Sequence, residues 1–209
     1  MTSARETLGC GGEYRFGFLR QATNLLVRVA LTLDRAMPSP SMPDRPPRLA
    51  VYAGVFDPPT MAHIEIVETA LLIFDEIVVV VAHNPNKPSA LFSPEERVRL
   101  FEESLSETVR PRVRVTDYSG LTAPYAVSLG ACALVRGMRP YADADAEIAL
   151  ALMNERLAPH LPTVLLVTSA RNVWLSSTLV RETATLGGMI VPGSVSPAVE
   201  KAIRKRFKQ

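Results

Sequence analysis

Short apolar runs rich in β-branched residues recur along the chain from Leu49 onward, and longer segments with helical spacing separate them. The runs are almost continuously apolar, as expected of strands that helices cover on both faces, whereas a half-exposed antiparallel strand would alternate. The strand candidates are LAVYAG, EIVVVVA, RVRVTDY, CALVRG and TVLLVT. Strands that alternate with helices are typical of βαβ units. The sequence therefore predicts an α/β fold in which helices flank a five-stranded parallel sheet.

Helical segments are predicted between and after these strands. They span residues 61–74, 94–107, 124–129, 144–157, 180–186 and 197–207. The second has the clearest start, because Ser93 can serve as N-cap, Pro94 suits the first helical position and Glu96 completes a capping box.

The first 48 residues differ in character from the rest. Residues 38–47, PSPSMPDRPP, are proline-dense and predict a linker, since they can form neither a helix nor a central strand. We therefore predict a poorly ordered N-terminal extension and linker over residues 1–48 and one folded domain over residues 49–209. The arginines of the extension loosely resemble those of a transit peptide, but its acidic residues argue against targeting. A family-specific extension, or translation from Met37 or Met42, is the alternative.

Charge, hydropathy and cysteine content exclude several classes of protein. The net charge of +2 gives no strong field, so neither nucleic acid nor an anionic membrane is an expected partner. Arginines interrupt the N-terminal apolar region before it reaches the length of about 18 residues that a membrane span needs. Cys10 and Cys132 lack the spacing of a disulfide framework or a zinc site. A soluble, cytoplasmic protein is expected.

The turn after the first strand, GVFDPPTMAH, is the most informative, because ligands of parallel sheets bind beyond the carboxyl ends of the strands. Gly54 allows close approach of the backbone, Thr60 can cap the following helix, and His63 falls in its first turn. A helix N-terminus binds phosphate readily, and an imidazole beside it can donate to a phosphoryl oxygen. The turn is neither a Walker A loop nor a G-x-G-x-x-G motif. It predicts a phosphate site of another type.

Cations and hydroxyls follow other strands of the predicted sheet. Lys87 comes after the second strand, and Arg136 and Arg139 come at the end of the fourth. These side chains suit phosphate, although a solvated lysine and structural ion pairs of the arginines are alternatives. The run 176–178, Ser-Ser-Thr, precedes the next helix and supplies more hydroxyls than one cap needs. It predicts a second anion site.

These segments together resemble the bacterial phosphopantetheine adenylyltransferases, which are nucleotidyltransferases. The first turn is similar to their signature G-[ST]-F-D-P-x-[TH]-x-G-H. The segments that follow in the family's order are NPNKP, LFSPEERV, YSGL, LVRGMR, DADAEIALALMNERLAP and WLSSTLVRE, so the resemblance covers roughly residues 49–207. It implies a Rossmann-like nucleotidyltransferase domain that transfers the adenylyl group of ATP to 4'-phosphopantetheine, giving dephospho-coenzyme A and pyrophosphate.

The resemblance also implies roles for individual residues. The candidate catalytic residues are His63, which would steady charge on the α-phosphate, and Lys87 and Arg136, which would hold the acceptor phosphate. The implied ATP-binding residues are Val55, Phe56, His63, Gly137, Met138, Arg139, Glu147, Asn172, Val173, Trp174, Leu175, Ser176, Ser177 and Thr178. The implied substrate-binding residues are Val55, Lys87, Thr122 and Arg136. Mg²⁺ is expected with ATP rather than in a protein cage. The family also implies a homohexamer.

Three positions depart from the family's pattern. Val55 replaces a Ser or Thr, so a hydroxyl that would touch the substrate phosphate is missing. Ala62 replaces a Gly, and the added methyl group of the alanine narrows the space in which a phosphate would meet the helix start. Thr122 stands where the family usually has a larger apolar residue. Loss of one hydrogen bond to a charged phosphate costs about 1.5 to 3 kcal/mol, which weakens an enzyme without abolishing it.

Two alternatives follow. One is another nucleotidyltransferase of the superfamily, such as a nicotinate-mononucleotide adenylyltransferase or a cytidylyltransferase. The other is a catalytically weakened homologue that binds nucleotides or coenzyme A.

Overall fold

Five parallel strands form one sheet in a computed structural model of the chain that describes residues 45–83, 90–140 and 143–207. The strands are β1 (Leu49–Gly54), β2 (Glu76–Ala82), β3 (Val113–Tyr118), β4 (Ala133–Met138) and β5 (Thr163–Val167). Their order across the sheet is β3-β2-β1-β4-β5, and each neighbouring pair is parallel. The predicted five-stranded parallel sheet is thereby confirmed. Most of the predicted N-terminal extension, and the segment that contains Lys87, lie outside the described residues.

Helices follow the strands in the predicted places, with shifts at their ends. The helices are α1 (Met61–Ala70), α2 (Pro94–Ser104), α3 (Thr122–Ser128), α4 (Ala144–Leu157), α5 (Ser177–Gly187) and α6 (Pro197–Arg206), and a 3-10 helix spans Arg110–Arg112. The capping box before α2 is confirmed, with Ser93 accepting from the N–H of Glu96 at 3.2 Å.

Two helix bounds in particular differ from the sequence-based prediction. The first helix ends at Ala70, four residues before the predicted end, and the chain then turns towards β2. The fifth starts at Ser177, three residues earlier than predicted, because the hydroxyl of Ser176 accepts from the N–H of Leu179 at 3.1 Å and so serves as N-cap. Apolar periodicity alone missed this polar first turn.

Two apolar layers cover the sheet. On one face, alternate strand residues such as Tyr52 and Val135 pack with Ile64 and Ile66 of α1 and with Phe101 of α2. On the other face, the intervening strand residues pack with α3 and with the segment that follows α4. A third cluster joins α1, α2, α5 and α6 outside the first layer. Both faces are covered, which explains why the inner strands are almost continuously apolar.

The chain extends the sheet outward from β1 first on one side and then on the other, because β2 and β3 lie on one side of β1, and β4 and β5 lie on the other. Such a change of direction opens a crevice at the carboxyl ends of the strands, where α/β proteins bind ligands. Both α1 and α5 begin at this edge of the sheet. Among the described helices, none has the length and apolar character that a bilayer crossing requires.

Candidate functional site

A cavity of about 250 Å³ lies at the carboxyl ends of β1 and β4. Its lining residues come from the first turn, α1, the end of β4, α4 and the start of α5. They are Tyr52, Ala53, Gly54, Val55, Phe56, Ala62, His63, Ile66, Arg136, Gly137, Arg139, Asp143, Glu147, Thr168, Leu175, Ser176 and Ser177. The segments that the sequence marked as separate phosphate sites therefore meet in one place.

Ten of the predicted site residues line this cavity. They are Val55, Phe56, His63, Arg136, Gly137, Arg139, Glu147, Leu175, Ser176 and Ser177. Those that do not line it are Met138, Asn172, Val173, Trp174, Thr178 and Thr122. Lys87 lies outside the described residues, so the place of its side chain stays a prediction. The individual roles also stay predictions.

The residues outside the cavity have other surroundings. The side-chain amide of Asn172 donates to Glu65 at 2.7 Å, and the indole N–H of Trp174 donates to the carbonyl oxygen of Arg171 at 2.8 Å. The hydroxyl of Thr178 lies 3.3 Å from a terminal nitrogen of Arg181. For these residues the sequence motif was a guide to the segment, but not to the direction of each side chain.

The imidazole of His63 is held in place by Thr60, the residue that caps the same helix. The backbone N–H of Thr60 donates to Nδ1 of His63 at 3.0 Å, and the hydroxyl of Thr60 lies 3.1 Å from the same atom. An Nδ1 that accepts a backbone N–H carries no proton, so the proton of the neutral ring is on Nε2. His63 can therefore offer an N–H donor to a ligand in the cavity without being charged.

The pKa of His63 is lowered from 6.5 to about 4, first by burial and then by the positive charges of Arg136 and Arg139. Burial disfavours the charged imidazolium, and the two guanidinium groups repel it. The ring is consequently neutral near pH 7.

His63 is expected to titrate near pH 4 in the folded protein. The unfolded chain then binds more protons than the folded chain between about pH 6.5 and pH 4, so this histidine's contribution to stability is present above about pH 6.5 and is lost as the pH falls towards 4. The ring nitrogen shifts, followed by NMR against pH, measure this directly. A His63→Gln variant identifies the signals, and a midpoint above pH 6 would contradict the expected burial.

Arg136 forms a double ion pair with Glu147 across the cavity. Its Nε and one terminal nitrogen each donate to a carboxylate oxygen of Glu147 at 2.7 Å, and the other terminal nitrogen donates to the carbonyl oxygen of Ala53. Burial lowers the pKa of Arg136, but the hydrogen bond and charge of Glu147 outweigh it, so the net shift is upward. The guanidinium has five N–H groups, of which these bonds use three, so it retains donors for a ligand.

Arg139 is paired in the same way with Asp143. Its Nε and a terminal nitrogen donate to the two carboxylate oxygens at 2.7 and 2.6 Å, and its backbone N–H donates to the same group at 3.1 Å. The hydrogen bond from Arg139 is the main cause that lowers the pKa of Asp143.

These ion pairs change the electrostatic interpretation of the cavity. The sequence suggested two free cations, with structural ion pairing as the alternative, and the structure has both arginines in ion pairs while both also line the cavity. Each guanidinium is therefore fixed in direction before any ligand binds, and its charge is partly balanced. Preorganised donors of this kind lose little conformational freedom on binding.

Asp57 links the first turn to two distant segments. Asp57 is 2% exposed, and its carboxylate accepts the backbone N–H groups of Leu91 at 2.8 Å and Phe92 at 3.0 Å. Arg181 of α5 lies 3.6 Å from the same carboxylate and donates to the carbonyl oxygen of Asp57. Through these bonds the first turn is attached to the residues before α2 and to α5.

The start of α5 docks directly on the first turn. The hydroxyl of Ser177 donates to the carbonyl oxygen of Pro58 at 2.8 Å, and the hydroxyl of Ser176 caps the helix. At α1, the N–H of Met61 is already bonded to the carbonyl oxygen of Ser194 at 3.0 Å. The two helix starts therefore meet, but part of their donor capacity joins the segments to one another.

Gly54 and Phe56 depend on each other in a way that the sequence did not reveal. A Cβ at position 54 would stand 2.7 Å from the ring of Phe56, which folds back over the glycine. Phe56 itself is buried, and its ring lies edge-on to those of His63 and Phe101 at 5.0 and 4.9 Å. Gly54 is thus required by a side chain of the protein, and because Gly54 also lines the cavity, its close approach to a ligand stays a prediction.

The residues around the cavity fall into two groups, according to the face of the sheet on which they lie. His63 follows β1 on α1, which covers the face on which Tyr52 and Val135 lie. Because side chains alternate along a strand, Arg136 and Gly137 belong to opposite faces, and Arg136 pairs with Glu147 of α4. The cavity thus has an α1 side and an α4 side that meet over the ends of β1 and β4.

Sequence reasoning missed several lining residues, above all Asp143, Tyr52 and Thr168. The position of Asp143 directly before the helix that starts at Ala144 gave no signal for its pairing with Arg139, because both residues lie in the connection between β4 and α4. Tyr52 has no signal either, because a tyrosine inside an apolar strand is most simply a core residue.

Comparisons with known proteins agree with this architecture. Residues 51–183 match the cytidylyltransferase-like family. A phosphopantetheine adenylyltransferase of Syntrophomonas wolfei is 46% identical over 155 residues, which cover 74% of this chain and 93% of that protein. One from Roseiflexus sp. is 46% identical over 161 residues, covering 76% and 99%.

The fold also matches a solved structure. It is a bifunctional NMN adenylyltransferase/ADP ribose pyrophosphatase from Francisella tularensis, complexed with AMP and a Mn ion, with a TM-score of 0.59. The match covers 78% of this chain and 50% of that one at 14% identity, so it shows likeness of fold alone.

Proposed function

Because the chain belongs to the cytidylyltransferase-like family and, within it, to the phosphopantetheine adenylyltransferases, we propose that the cavity at the ends of β1 and β4 is its active site. The enzyme transfers the adenylyl group of ATP to 4'-phosphopantetheine, giving dephospho-coenzyme A and pyrophosphate, a reaction of coenzyme A biosynthesis. The single observation that carries this function is identity of 40 to 46% over more than nine-tenths of such relatives. The convergence of His63, Arg136 and Ser177 on one cavity supports the location.

In the proposed reaction an oxygen of the phosphopantetheine phosphate attacks the α-phosphorus of ATP. A new P–O bond forms, the bond between the α-phosphorus and the bridging oxygen breaks, and pyrophosphate leaves with that electron pair. The attacking phosphate is already an anion, so no side-chain base is needed. Catalysis then depends on position and on stabilisation of charge.

We propose that His63 stabilises the negative charge that develops on the α-phosphate. Its Nε2–H is a neutral donor, fixed in direction by the bond from Thr60 to Nδ1. A neutral ring suits this role, because it adds a hydrogen bond as negative charge develops and does not need to change its protonation state.

Arg136 and Lys87 are proposed to hold the acceptor phosphate. For Arg136 the support is its remaining N–H donors and its direction, which is fixed by Glu147 and Ala53. Arg139, Gly137 and the helix start at Ser176 and Ser177 are proposed to hold ATP, and their place around the same cavity supports this.

Mg²⁺ is proposed to accompany ATP, and it would supply neutralisation of phosphate charge. The described residues contain no group of three acidic, histidine or cysteine side chains suited to a metal ion. Asp143 and Glu147, the two carboxylates of the cavity, are already bonded to arginines. This donor set fits an ion held chiefly by phosphate oxygens and water.

We also propose a homohexamer that works in the cytoplasm. The support for self-association is α4, on which Ile148, Leu152, Met153 and Leu157 are exposed and Asn154 is the buried residue. An apolar surface of this kind is typical of an interface between subunits. Light scattering of the purified protein, compared with six times the chain mass of 22.8 kDa, measures it. For the compartment, the support is the free thiol of Cys132.

The experiment that tests the function follows pyrophosphate release from ATP and Mg²⁺ with each of several acceptors. We expect pyrophosphate to be released with 4'-phosphopantetheine, and we expect this release to stop when EDTA is added. If pyrophosphate is released with nicotinate mononucleotide or glycerol phosphate but not with 4'-phosphopantetheine, the chain is instead another nucleotidyltransferase. ATP binding without release from any acceptor would favour the weakened homologue.

A Val55→Thr variant is expected to lower the KM for 4'-phosphopantetheine by up to about tenfold, because it returns a hydroxyl to a position 59% exposed on the cavity wall. Valine and threonine have nearly the same shape, so the fold should not change. Steady-state kinetics with varied 4'-phosphopantetheine measure the effect. Val55→Ala, which alters size without adding a hydroxyl, is the control. An unchanged KM in Val55→Thr would mean that the backbone alone meets the acceptor.

A further inference from the structure

Tyr52 places a polar group in the wall of the cavity that the mechanism above does not use. It lies in β1, is 4% exposed and packs edge-on against Phe56 with ring centroids 5.1 Å apart. It lines the cavity together with His63 and Gly137. Within the described part of the chain, its hydroxyl makes no hydrogen bond.

Tyr52 is almost wholly buried, but its hydroxyl is not one of the enclosed, unpartnered polar atoms of the described residues, so it stays accessible from the cavity to water or to a ligand. The backbone around Tyr52 suggests where its partner would stand. A Cβ on Gly137 would lie 3.4 Å from the hydroxyl of Tyr52 and 2.9 Å from the side chain of Ile66. The hydroxyl therefore lies beside Gly137, against which Ile66 packs too closely to allow a side chain, and Gly137 also lines the cavity.

The chemistry of the group suits a hydrogen bond to a ligand. Burial raises the pKa of Tyr52 well above its usual value of 10.0, and the negative charge of Glu147 adds to this while Arg136 opposes it. The phenol is therefore neutral throughout the working pH range. It can donate to a phosphoryl or ribose oxygen and accept from a ribose hydroxyl.

We propose that the hydroxyl of Tyr52 is a nucleotide-binding group, which hydrogen-bonds to an oxygen of bound ATP and not to 4'-phosphopantetheine. This inference rests on the proposed function. The choice of ATP follows from the two sides of the cavity. Tyr52 belongs to the α1 face of the sheet, with His63, whereas Arg136 and Ala53 belong to the α4 face. The Gly137 segment beside the hydroxyl is the one proposed to hold ATP.

The test is Tyr52→Phe, which removes the hydroxyl and keeps the ring. Calorimetry with ATP and Mg²⁺, in the absence of acceptor, is expected to give a Kd about tenfold higher than that of the wild-type enzyme. The KM for 4'-phosphopantetheine should stay within about twofold. The Tm of the free protein should be unchanged, because the hydroxyl has no partner among the described residues to lose, whereas a tyrosine that held the fold through its hydroxyl would lose stability.

Thr163→Val is the matched control. The hydroxyl of Thr163 also has no partner within the described residues, but it is fully enclosed at the start of β5, away from the cavity. This variant should leave ATP binding unchanged. An equal Kd for ATP in Tyr52→Phe and wild type, or a rise in the KM for 4'-phosphopantetheine alone, would overturn the inference and leave the proposed function intact. Wild-type enzyme that binds no ATP would instead overturn the proposed function, and this inference with it.

Discussion

Replacing His63 with alanine is expected to lower kcat about a hundredfold to a thousandfold while the fold is retained. Removal of one preorganised donor to a developing oxyanion has an effect of about this size in other enzymes. The Nε2–H of His63 is such a donor, since Nδ1 is bonded to the backbone of Thr60 at 3.0 Å. Steady-state pyrophosphate release measures the loss. The KM for ATP should change much less, because the interaction strengthens chiefly in the transition state.

His63→Gln serves as the companion variant, since it keeps a neutral N–H donor on a side chain of similar reach. It should recover part of the lost kcat. The wild-type kcat should also show no decline between pH 8 and pH 6 from this histidine, whose pKa is about 4. An alanine variant within about threefold of wild-type kcat would remove His63 from the catalytic role.

Replacing Arg136 with methionine is expected to lower kcat/KM for 4'-phosphopantetheine about a hundredfold or more. The variant removes a charged donor to the acceptor phosphate, and hydrogen bonds to charged groups contribute about 1.5 to 3 kcal/mol each. It should also lower the free energy of unfolding, because the carboxylate of Glu147 is left in a mostly buried place without its partner. Kinetics with varied acceptor and urea unfolding measure the two effects separately.

A double variant, Arg136→Met with Glu147→Gln, separates the role in binding from the role in stability. Removing the unpaired charge should restore most of the lost stability, since replacing both members of a buried ion pair is often close to neutral. It should restore none of the affinity for the acceptor. Recovery of activity together with stability would show that Arg136 acts on the acceptor only through the fold.

Local sequence determined much of the fold. The apolar strands, the capping box of Ser93 and Glu96, and the cap of α1 at Thr60 each depend on residues close together in the chain. Alternation of buried strands and helices then limits the topology, because parallel strands need crossover connections. The carboxyl-end position of the candidate site followed from the same rule.

Helix ends were less predictable from the same signals. The early start of α5 at Ser177 lies in a polar stretch that ends with a hydroxyl cap, and apolar spacing does not register such a turn. The early end of α1 at Ala70 likewise has no glycine or proline to announce it.

The sequence by itself determined which segments form the site, because a phosphate-binding helix start, a basic strand end and a hydroxyl-rich turn are each recognisable locally. Only the tertiary structure decided how the side chains within them are used. The bonds of Asp57 to residues 34 and 35 positions away, the ion pair of Arg136 with Glu147, and the unpartnered hydroxyl of Tyr52 beside Gly137 are contacts across separate elements. The physical reason is that burial, ion pairing and pKa depend on what surrounds a group in space, and chain neighbours supply only part of those surroundings.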